Sequence, residues 1–571
     1  MRVGPMKGTD SVTTKPSDAP RVMRNDYSSL ELPRLGAWTP TDTVSVVVPA
    51  FQDQDKLDLV LAALAGQSYP RELIEVVVVD DGSEPPLEAP RVRPERTRVI
   101  PNRPGHWASA SAVDTAIAAS DGAIILRLDA DVIPDRHHVE AHARWHHAAG
   151  YLTVMGHIAF VEADPASFDP GTVLELVADG RGRDLFDGHD VEYKWVIKFV
   201  EETDGLRDDE RRAFSAANGA SISFRRALYD ASGGLDVGMR LGGDTELGFR
   251  LAQAGAVFVP DPDATAWHVG LSQMRKRTGD GARYRQPFLA HRVPSFRYMR
   301  VPRPGVLWKV PFVEIVVDAS KADLEAVSST VDSVLAGSVA DVAVTLLGPW
   351  DRLHSDRNAL LEDPLLDLRL IQETYSGDPR VRFASAAAAD AAPVPFRLTV
   401  PAGPRLSREA VQEVTDLAEK RRVGRVRLHC EDEDRGEVEA VLDRTAALAR
   451  ARLVRGVDEP FEAAVESVWG LYVEDGAQWL LASDADGMSP VDARAKRLKE
   501  FRDTEREARM RADRWRKTGS RARAEAKEWE RAAREWQQAA EWWEDRSKAH
   551  REHSGSLLRR AGRKLKRALR G

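Results

Sequence analysis

Apolar runs alternate with amphipathic stretches through the first quarter of the chain. The run "VSVVVPAF" (Val44 to Phe51) ends at a proline and is typical of a buried strand. Apolar residues recur at helical spacing in the next stretch, 55–67, and again over 108–119. Two further strands are predicted over 74–83 ("IEVVVVDDGS") and 123–131 ("AIILRLDAD"). The pattern therefore predicts a strand–helix–strand order.

Strands that are apolar throughout and alternate with helices predict a parallel sheet covered on both faces, an α/β fold. Ligands bind such sheets outside the carboxyl ends of the strands. Polar or turn-forming residues stand at these predicted ends: Pro49, Asp80, Asp81, Asp129 and Asp131. We therefore expect four carboxylates to converge on one cleft.

Composition narrows the class of protein. The chain has 571 residues, a formal net charge of −8 and one cysteine, Cys430. The length suits several domains, and the negative charge argues against nucleic acid as the partner. The single cysteine excludes an intramolecular disulfide and fits a reducing compartment. No apolar run reaches 18 residues and the N-terminus has no apolar signal core, so we expect a cytoplasmic protein.

The carboxylates have a plain and a chemical interpretation. Asp-Asp-Gly-Ser is an ordinary turn after a strand, and an Asp-x-Asp can occur by chance. However, burying an unpaired carboxylate costs several kcal/mol, and hard divalent cations prefer carboxylate oxygens together with substrate phosphates. Two acidic strand ends in one sheet thus favour a Mg²⁺ or Mn²⁺ site that would bridge the protein to a diphosphate.

The motifs together resemble family 2 glycosyltransferases, which have the GT-A fold. The resemblance rests on "VVVPAF", "VVVVDDGS" and "LRLDADVIP", then on "AANGASISFRRALYDASGGLD" (Ala216 to Asp236) and "LGGDTELGFRLAQAGAVFVPDPDATAWHVG" (Leu241 to Gly270). It covers about Val44 to Gly270, with the motifs in the family's order.

The resemblance implies a role for each matching residue. Pro49, Ala50 and Phe51 resemble the nucleoside-binding loop, Asp80 the carboxylate that binds the nucleobase, and Asp81 its support. Asp129 and Asp131 resemble the family's Asp-x-Asp pair, which contacts the ribose and the metal. His268 resembles the histidine that completes the metal or diphosphate site, and Asp244 the general base.

One departure from the family pattern and three alternatives stay open. Gly243 stands where the family has a glutamate, which leaves the acceptor-side hydrogen bonding in doubt. Asp244 could instead cap the helix that follows it, since Asp is a favoured N-cap. His268, next to Trp267, could be structural. The basic run 274–285 could cover the diphosphate as a mobile loop or be a solvated surface.

The implied reaction is an inverting displacement at an anomeric carbon. Asp244 would accept the proton of the acceptor hydroxyl, while a divalent metal, Mn²⁺ or Mg²⁺, would stabilise the departing nucleoside diphosphate. The expected partners are a nucleotide-sugar donor and a glycan or lipid-linked saccharide acceptor, as in bacterial envelope or polysaccharide biosynthesis. The alternative is a non-catalytic glycan-binding or scaffold protein built on GT-A-like domains.

A second copy of the frame follows. The segment 312–337 repeats the first strand and helix, and "FRLTVPAGP" (Phe396 to Pro404) stands about 270 residues after the acidic strand end. Thr399 and Pro401 then replace Asp129 and Asp131. We interpret this as a degenerate GT-A-like domain without a cation site; a generic α/β domain is the alternative.

The C-terminal part has a different composition, rich in Ala, Arg, Glu and Trp. One row recurs every seven residues, with small residues four positions later; its members are Phe501, Ala508, Trp515, Ala522, Trp529, Trp536 and Trp543. This heptad predicts a coiled coil and a homo-oligomer, with an intramolecular hairpin or docking onto the second domain as the alternative. The basic end, 556–571, suits an anionic membrane surface or is simply solvated.

Five segments are therefore expected: a disordered N-terminal arm (1–40), a catalytic GT-A domain (41–305), a degenerate GT-A-like domain (306–485), a coiled-coil helix (490–553) and a basic amphipathic tail (554–571). With such a tail, the protein would be either dissolved in the cytoplasm or peripheral on the inner face of the cell membrane.

Overall fold

A computed structural model describes residues 19–481, except for 194, 271–277, 301–305, 354–359, 390 and 433–435. Two α/β sheets lie within this part of the chain, and both belong to one compact unit that extends to Asp484. The predicted α/β class is confirmed, and so is a second α/β sheet. The predicted coiled coil over 490–553 and the tail over 554–571 lie outside the described residues.

The first sheet has the strand order β3-β2-β1-β4-β8-β6-β9-β5, with β7 beside β6. Its strands are β1 (Val44–Ala50), β2 (Ile74–Asp80), β3 (Thr97–Pro101), β4 (Ile124–Leu128), β5 (Val132–Pro134), β6 (Leu152–Val161), β7 (Val191–Tyr193), β8 (Ser221–Arg225) and β9 (Val257–Val269). The predicted strands β1, β2 and β4 form the parallel centre of this sheet. The edge strand β3 was not predicted, because its apolar run is short.

The helices that cover this sheet are α1 (Gln54–Ala65), α2 (Ser109–Ala118), α3 (His138–Ala148), α4 (Pro170–Ala178), α5 (Trp195–Glu202), α6 (Arg226–Ala231), α7 (Gly243–Gln253) and α8 (Thr278–Arg292). Both α1 and α2 agree with the predicted helices. The basic run 274–285, for which a mobile loop was one interpretation, enters α8 at Thr278, so that interpretation is wrong for 278–285.

Strand pairing explains why the acidic strand ends converge. In β1 and β2, Ala50 is the register partner of Asp80, so both strands end at the same level. Strand β4 pairs with the other side of β1, from Val44 opposite Ile124. The interior valines of β1 and β2 are almost completely buried, and each contributes about 1.5–3 kcal/mol of hydrophobic free energy. The buried strands thus present their polar ends at one edge.

The second sheet repeats the strand order of the first. Its order is β12-β11-β10-β13-β16-β15-β17, and β14 pairs with β18 apart from it. Its strands are β10 (Val313–Asp318), β11 (Val342–Leu347), β12 (Val381–Ala384), β13 (Phe396–Pro401), β14 (Arg405–Leu406), β15 (Arg425–Asp432), β16 (Gly436–Arg444), β17 (Leu471–Asp475) and β18 (Leu480–Leu481). In both sheets the fourth strand of the order is followed by two antiparallel pairings and then a parallel one.

The helices of this second half are α9 (Leu324–Leu335), α10 (Leu366–Tyr375), α11 (Ala410–Arg421), α12 (Thr445–Val454) and α13 (Phe461–Val468). The predicted strand-to-helix frame over 312–337 is therefore present, as β10 followed by α9.

The strand register corrects one alignment made from the sequence. Val44 pairs with Ile124 in the first sheet, and Val313 pairs with Phe396 in the second. Counting from these pairs places Thr399 at the position of Arg127, not of Asp129. The positions of Asp129 and Asp131 are held by Pro401 and Gly403. The constant offset of about 270 residues gave the wrong alignment because the connections between the paired strands differ in length in the two halves.

Residues 19–40 are not the disordered arm that was predicted. The Asn25 side chain donates to the carbonyls of Leu206 (3.1 Å) and Phe258 (2.9 Å), and the Arg24 N–H donates to the carbonyl of Val468 (2.7 Å). Val22 and Tyr27 are buried. The segment is held by individual side chains rather than by a periodic apolar face, so the hydrophobic pattern could not reveal it. Residues 1–18 lie outside the described part.

Arg450, on α12, joins the two sheets. Its fully buried guanidinium donates to the carbonyls of Gly255 (2.9 Å) and Ala256 (2.7 Å), between α7 and β9 of the first half. Burial lowers the pKa of Arg450 to about 10, which leaves it charged at neutral pH. The domains are therefore fastened by a charged group that has only backbone carbonyls as hydrogen-bond acceptors in the described part of the chain.

Across the described residues, no helix is both long enough and apolar enough to cross a membrane.

Candidate functional site

The loop after β1 is exposed and conformationally strained. Gln52 and Asp53 have φ of +58° and +54°, which residues with a side chain seldom adopt. The Gln52 N–H donates to the Ser83 hydroxyl of the neighbouring "DDGS" turn (2.7 Å), which holds the two loops together. Phe51 projects between them with 57% of its surface exposed. Strain of this kind clusters at ligand sites, and the ring is accessible for stacking.

Asp80, predicted to bind a nucleobase, organises its own turn. Its two carboxylate oxygens accept hydrogen bonds from the N–H groups of Ser83 (2.9 Å) and Leu87 (3.0 Å). Burial raises the pKa of Asp80, but hydrogen bonds from the Ser83 hydroxyl and from these N–H groups outweigh it, so the pKa lies below its ordinary value. Asp80 is therefore an anion, fixed by its own turn at the carboxyl end of β2.

Asp81 ties the turn to the loop that precedes α2. Its carboxylate accepts from the Asn102 amide (2.6 Å) and from the N–H of Ala108 (2.7 Å). Ala108 itself has φ of +77°, a third strained residue at this edge of the sheet. The support role expected for Asp81 is consistent with these contacts, although it positions the 102–108 loop rather than Asp80.

The Asp-x-Asp pair and the histidine come together. Strand β5 pairs with the end of β9, with Val132 opposite His268. This register puts the His268 Nε2 3.3 Å from Oδ1 of Asp131. The imidazole stacks on Phe160 at 4.5 Å and is almost completely buried. The two residues are far apart in the sequence, and the pairing of β5 with the end of the long strand β9 brings them into contact.

Negative charge is crowded at Asp131. Burial, followed by the charge of Asp129, raises the pKa of Asp131 to about 7, while the Lys56 ammonium, 3.9 Å away, opposes the shift. Converging carboxylates beside an imidazole are a donor set that suits a hard divalent cation. Within the described residues, no group of three His, Cys, Asp or Glu side chains is arranged to hold a metal by itself.

Asp244 lies in the first turn of α7 and is not its N-cap. Gly242, with φ of +81°, occupies the N-cap position. The Asp244 carboxylate accepts from the N–H of Thr245 (2.8 Å) and, more weakly, from the N–H of Gly219 (3.4 Å). The capping alternative is therefore wrong. A carboxylate held at the positive end of a helix and directed toward the "NGAS" loop remains available as a base.

Arg127 connects the two sides of the site, and sequence reasoning missed it. Its guanidinium donates to Asp129 (3.1 Å) and to the Ser109 hydroxyl (3.0 Å). The same guanidinium lies against Gly219, where a Cβ atom would stand only 2.1–2.4 Å from it. Arg127 thus reaches from the Asp-x-Asp pair to the loop that contacts Asp244. The signal was a lone arginine inside an otherwise apolar strand.

Trp107 and Arg240 frame the opening above Asp81 and Asp244. The Arg240 guanidinium stacks 4.3 Å from the centre of the indole and donates to the Trp107 carbonyl. Trp107 keeps 58% of its surface exposed. Lys56, which contacts Asp53 (3.2 Å) as well as Asp131, completes the cationic groups at this edge that the sequence interpretation did not include.

Comparison with known proteins shows which sequences and folds this chain resembles. Residues 45–198 match the model of glycosyl transferase family 2. A chondroitin synthase from Escherichia coli is 22% identical over 365 residues, which are 60% of this chain and 50% of that protein. A chondroitin synthase from Pasteurella multocida (strain Pm70) is 22% identical over 361 residues, 60% of this chain and 35% of that protein. The chain spans half or less of the length of these relatives.

One solved structure of similar fold is a mannosyltransferase, PcManGT, from Pyrobaculum calidifontis in complex with GDP-Man and Mn²⁺. It is 19% identical, with a TM-score of 0.29, and the alignment covers 51% of this chain and 69% of that one.

Proposed function

We propose that this chain, which carries a family 2 glycosyltransferase domain of the GT-A fold, transfers a sugar from a nucleotide diphosphate to an acceptor hydroxyl with inversion at the anomeric carbon. One observation carries the proposal. The acidic strand ends, His268 and Asp244 meet at a single edge of the first sheet, with the guanidinium of Arg127 between its donor and acceptor sides. The proposed setting is polysaccharide biosynthesis, supported by the similarity to chondroitin synthases.

The donor would bind across the carboxyl ends of β1, β2 and β4. Phe51 would stack on the nucleobase, and Asp80, ionised and fixed by its turn, would accept a hydrogen bond from it. Lys56, next to Asp131, would neutralise a phosphate. Strained loops are positioned before the donor arrives, so little ordering entropy would be lost on binding.

A divalent metal, Mn²⁺ or Mg²⁺, fits this donor set: Asp131 and Asp129 would hold it, with His268 beside them. When bound, such an ion supplies Lewis-acid stabilisation of the charge that develops on the departing diphosphate. Without it, burial and the like charge of Asp129 keep the Asp131 carboxylate partly protonated near neutral pH.

Asp244 would act as the general base. Its carboxylate accepts hydrogen bonds on the side that faces the protein, and it would accept the acceptor hydroxyl's proton as the oxygen attacks. The nucleoside diphosphate would depart with the electron pair of the broken C–O bond, and Asp244 would then release the proton to solvent. Gly243 stands where the family has glutamate, and a Cβ added there would lie 3.4 Å from the Cβ of Ala110. The acceptor hydroxyl would therefore be bound without a glutamate side chain at this position.

The test is hydrolysis and transfer from a panel of nucleotide sugars by the full chain with and without Mn²⁺. The proposal expects metal-dependent release of one nucleoside diphosphate, and product analysis by NMR should show the inverted anomer. Tight nucleotide-sugar binding without any turnover would instead favour the non-catalytic glycan-binding alternative. Retention of the anomeric configuration would overturn the single-displacement mechanism.

For the C-terminal part, we propose self-association through the heptad row of Trp residues and attachment of the basic end to anionic membrane surfaces. Four Trp on one row would each bury roughly 150–250 Å², and several basic ends side by side would bind membranes by effective concentration. A chain that ends at Asp492 should be monomeric by light scattering and should not co-sediment with anionic vesicles. A monomeric full-length protein at tens of micromolar would overturn the self-association.

A further inference from the structure

A cavity of about 730 Å³ lies between the two halves of the protein. Its walls include Thr245 and Gln253 of α7 from the first half, and Phe396, Arg444 and Trp469 from the second. This volume is within the range of small-ligand sites. The cavity is separate from the cleft at the acidic strand ends, and nothing in the proposed chemistry uses it.

The cavity follows one face of the helix that carries the candidate base. Thr245, Ala252 and Gln253 line it, and residues seven and eight positions apart share a helix face. At 1.5 Å per residue, Thr245 and Gln253 are about 12 Å apart along the axis. A ligand at the Thr245 end of the cavity would therefore contact the first turn of α7, which also carries Asp244.

Positive charge exceeds negative charge in the cavity walls. Seven arginines line the cavity, against three acidic residues, Glu210, Asp416 and Glu419. Glu419 is shared by the guanidinium groups of Arg444 (3.0 Å) and Arg211 (3.4 Å). These two cations thus have one anion between them.

Arg450 is another of these arginines, and its hydrogen-bond acceptors in the described part of the chain are backbone carbonyls. Because guanidinium groups stay charged at neutral pH, the cavity would attract an anionic ligand.

Aromatic rings stand between these cations. Arg297 stacks on Phe312 at 4.2 Å, Arg444 on Phe396 at 4.8 Å, and Arg450 on Trp469 at 4.9 Å. Tyr298, at the edge, keeps 76% of its surface exposed. The exposed Tyr298 ring and the lining guanidinium groups suit a ligand that presents both a flat apolar face and carboxylates.

Polar atoms in the same walls have no hydrogen-bond partner among the described residues. They are Oε1 of Gln253, Nη2 of Arg444 and the indole Nε1 of Trp469, all on residues at least nine-tenths buried. Leaving such atoms unsatisfied is unfavourable. Small side-chain rotations could direct the Gln253 amide and the Arg444 fork into the cavity, where hydroxyl and carboxylate groups would satisfy them.

We propose that this interdomain cavity binds an anionic saccharide, a chain of sugars that carry carboxylates, and that it holds the acceptor behind Asp244. The acceptor role rests on the proposed function; the binding does not. Guanidinium groups pair bidentately with carboxylates, the exposed Tyr298 ring stacks on a sugar face, and the Gln253 amide bonds a hydroxyl. The second half of the chain, without the acids of the first, thereby gains a role in acceptor recognition.

The experiment is calorimetric titration of the full chain with a galacturonic acid hexamer, with neutral maltohexaose as the matched ligand, at low and high salt. We expect binding of the hexauronate that weakens as salt rises, and no comparable binding of maltohexaose. Equal affinity for the two oligosaccharides, or absence of hexauronate binding at millimolar concentration, would overturn the proposal. Competition by UDP or inorganic phosphate for the same site would assign it to a nucleotide or phosphate instead.

Variants locate the site. Gln253→Leu, Tyr298→Ala and Arg211→Gln should each weaken hexauronate binding by roughly threefold to tenfold, whereas Arg382→Gln, an exposed arginine on the edge strand β12, should not. Gln253→Leu should keep the thermal unfolding temperature, since the amide oxygen has no partner to lose. Unchanged affinity in all three folded variants would overturn the location.

Donor hydrolysis separates this inference from the proposed function. Hydrolysis with Mn²⁺ should survive in the three variants, because none of these residues lies at the acidic strand ends. Hexauronate binding without any donor turnover would contradict the proposed transferase activity but support the saccharide site. Donor turnover without hexauronate binding would support the transferase activity and overturn the saccharide site.

Discussion

The Nε2 atom of His268 lies 3.3 Å from Oδ1 of Asp131, although the two residues are separated by half of the first domain. The contact exists because β9 is long enough to pair with β6 along its length and with β5 near its end. It places a nearly buried imidazole beside a carboxylate already crowded by Asp129. The candidate metal site is therefore assembled by strand pairing, and its residues can be tested one at a time.

Asp131→Asn should abolish Mn²⁺-dependent nucleotide binding and still leave a stable fold. Burial and Asp129 disfavour the charged form of Asp131, so a neutral isostere should keep or raise the unfolding temperature. Calorimetry with UDP and GDP, together with thermal unfolding, measures both effects. The exposed Asp55→Asn on α1 is the control and should change neither. Mn²⁺-dependent binding that persists in folded Asp131→Asn would remove Asp131 from the metal site.

Asp244→Asn should retain donor binding and lose about 10²- to 10⁴-fold in turnover, the usual contribution of a general base. The amide keeps the hydrogen bond from Thr245 or Gly219 but cannot accept the proton. Single-turnover transfer and nucleotide affinity should be measured on the same sample. A loss of less than tenfold would mean that Asp244 has only a structural role.

Gly219→Ala should lower turnover by up to about 100-fold, because misplacement of site groups by an ångström can have that effect. The added Cβ would overlap the Arg127 guanidinium, at 2.1–2.4 Å, and displace it from Asp129. Combining Gly219→Ala with Arg127→Ala relieves the overlap, so the two losses should not add. Strictly additive losses in this double-mutant cycle would show that Arg127 does not connect the two sides.

Acid should destabilise the protein through three buried histidines on α3. The His138 Nδ1–H donates to the Thr265 carbonyl (2.9 Å), so its Nε2 accepts from the Ser221 hydroxyl (2.8 Å). Ser221 accepts in turn from the His142 Nε2–H (2.9 Å). The next links are His142 Nδ1 accepting from the Ser223 hydroxyl (2.8 Å), and Ser223 accepting from His146 Nε2–H (2.7 Å). All three imidazoles in this chain of hydrogen bonds are neutral.

Burial lowers the pKa of His138 to about 4 and of His146 to about 3, and it lowers that of His142 well below 6.5. The unfolded chain takes up protons near pH 6.5 while the folded chain does not. The contribution of these histidines to the free energy of unfolding is therefore complete above pH 6.5. It decreases between pH 6.5 and pH 4 by about 1.4 kcal/mol per pH unit for each histidine. Urea unfolding from pH 7.5 to 4.5 measures the slope. The His147→Gln variant, exposed on the same helix, should keep it, whereas His142→Asn should reduce it.

The second sheet should contribute nothing to the chemical step. Pro401 and Gly403 stand where the first sheet has Asp129 and Asp131, and Thr399 is exposed on its strand. Thr399→Ala and Pro401→Ala should therefore change turnover by less than about twofold, within the ±0.5 kcal/mol typical of such exposed sites. A large loss of turnover in a folded variant would mean that the second domain takes part in catalysis.

The sequence by itself determined which strands form the parallel centre of the first sheet and which carboxylates follow them. Continuous apolar runs have one stable placement, the interior of a sheet, and a proline or an Asp pair ends them at the same edge. It also determined the repeat, since the second strand-to-helix frame is visible in the order of apolar residues. These features are local, so a pattern of neighbours contains them.

Only the tertiary structure decided the contacts between distant segments. His268 reaches Asp131 through strand register, Arg127 reaches Gly219 because the glycine has no Cβ, and residues 19–40 are held by single side chains such as Asn25. The register also moved the second-sheet equivalents of the acids from Thr399 and Pro401 to Pro401 and Gly403. Such contacts depend on the register in which two strands pair, which is set by the length of the connection between them. A local pattern of apolar and polar residues does not determine that register.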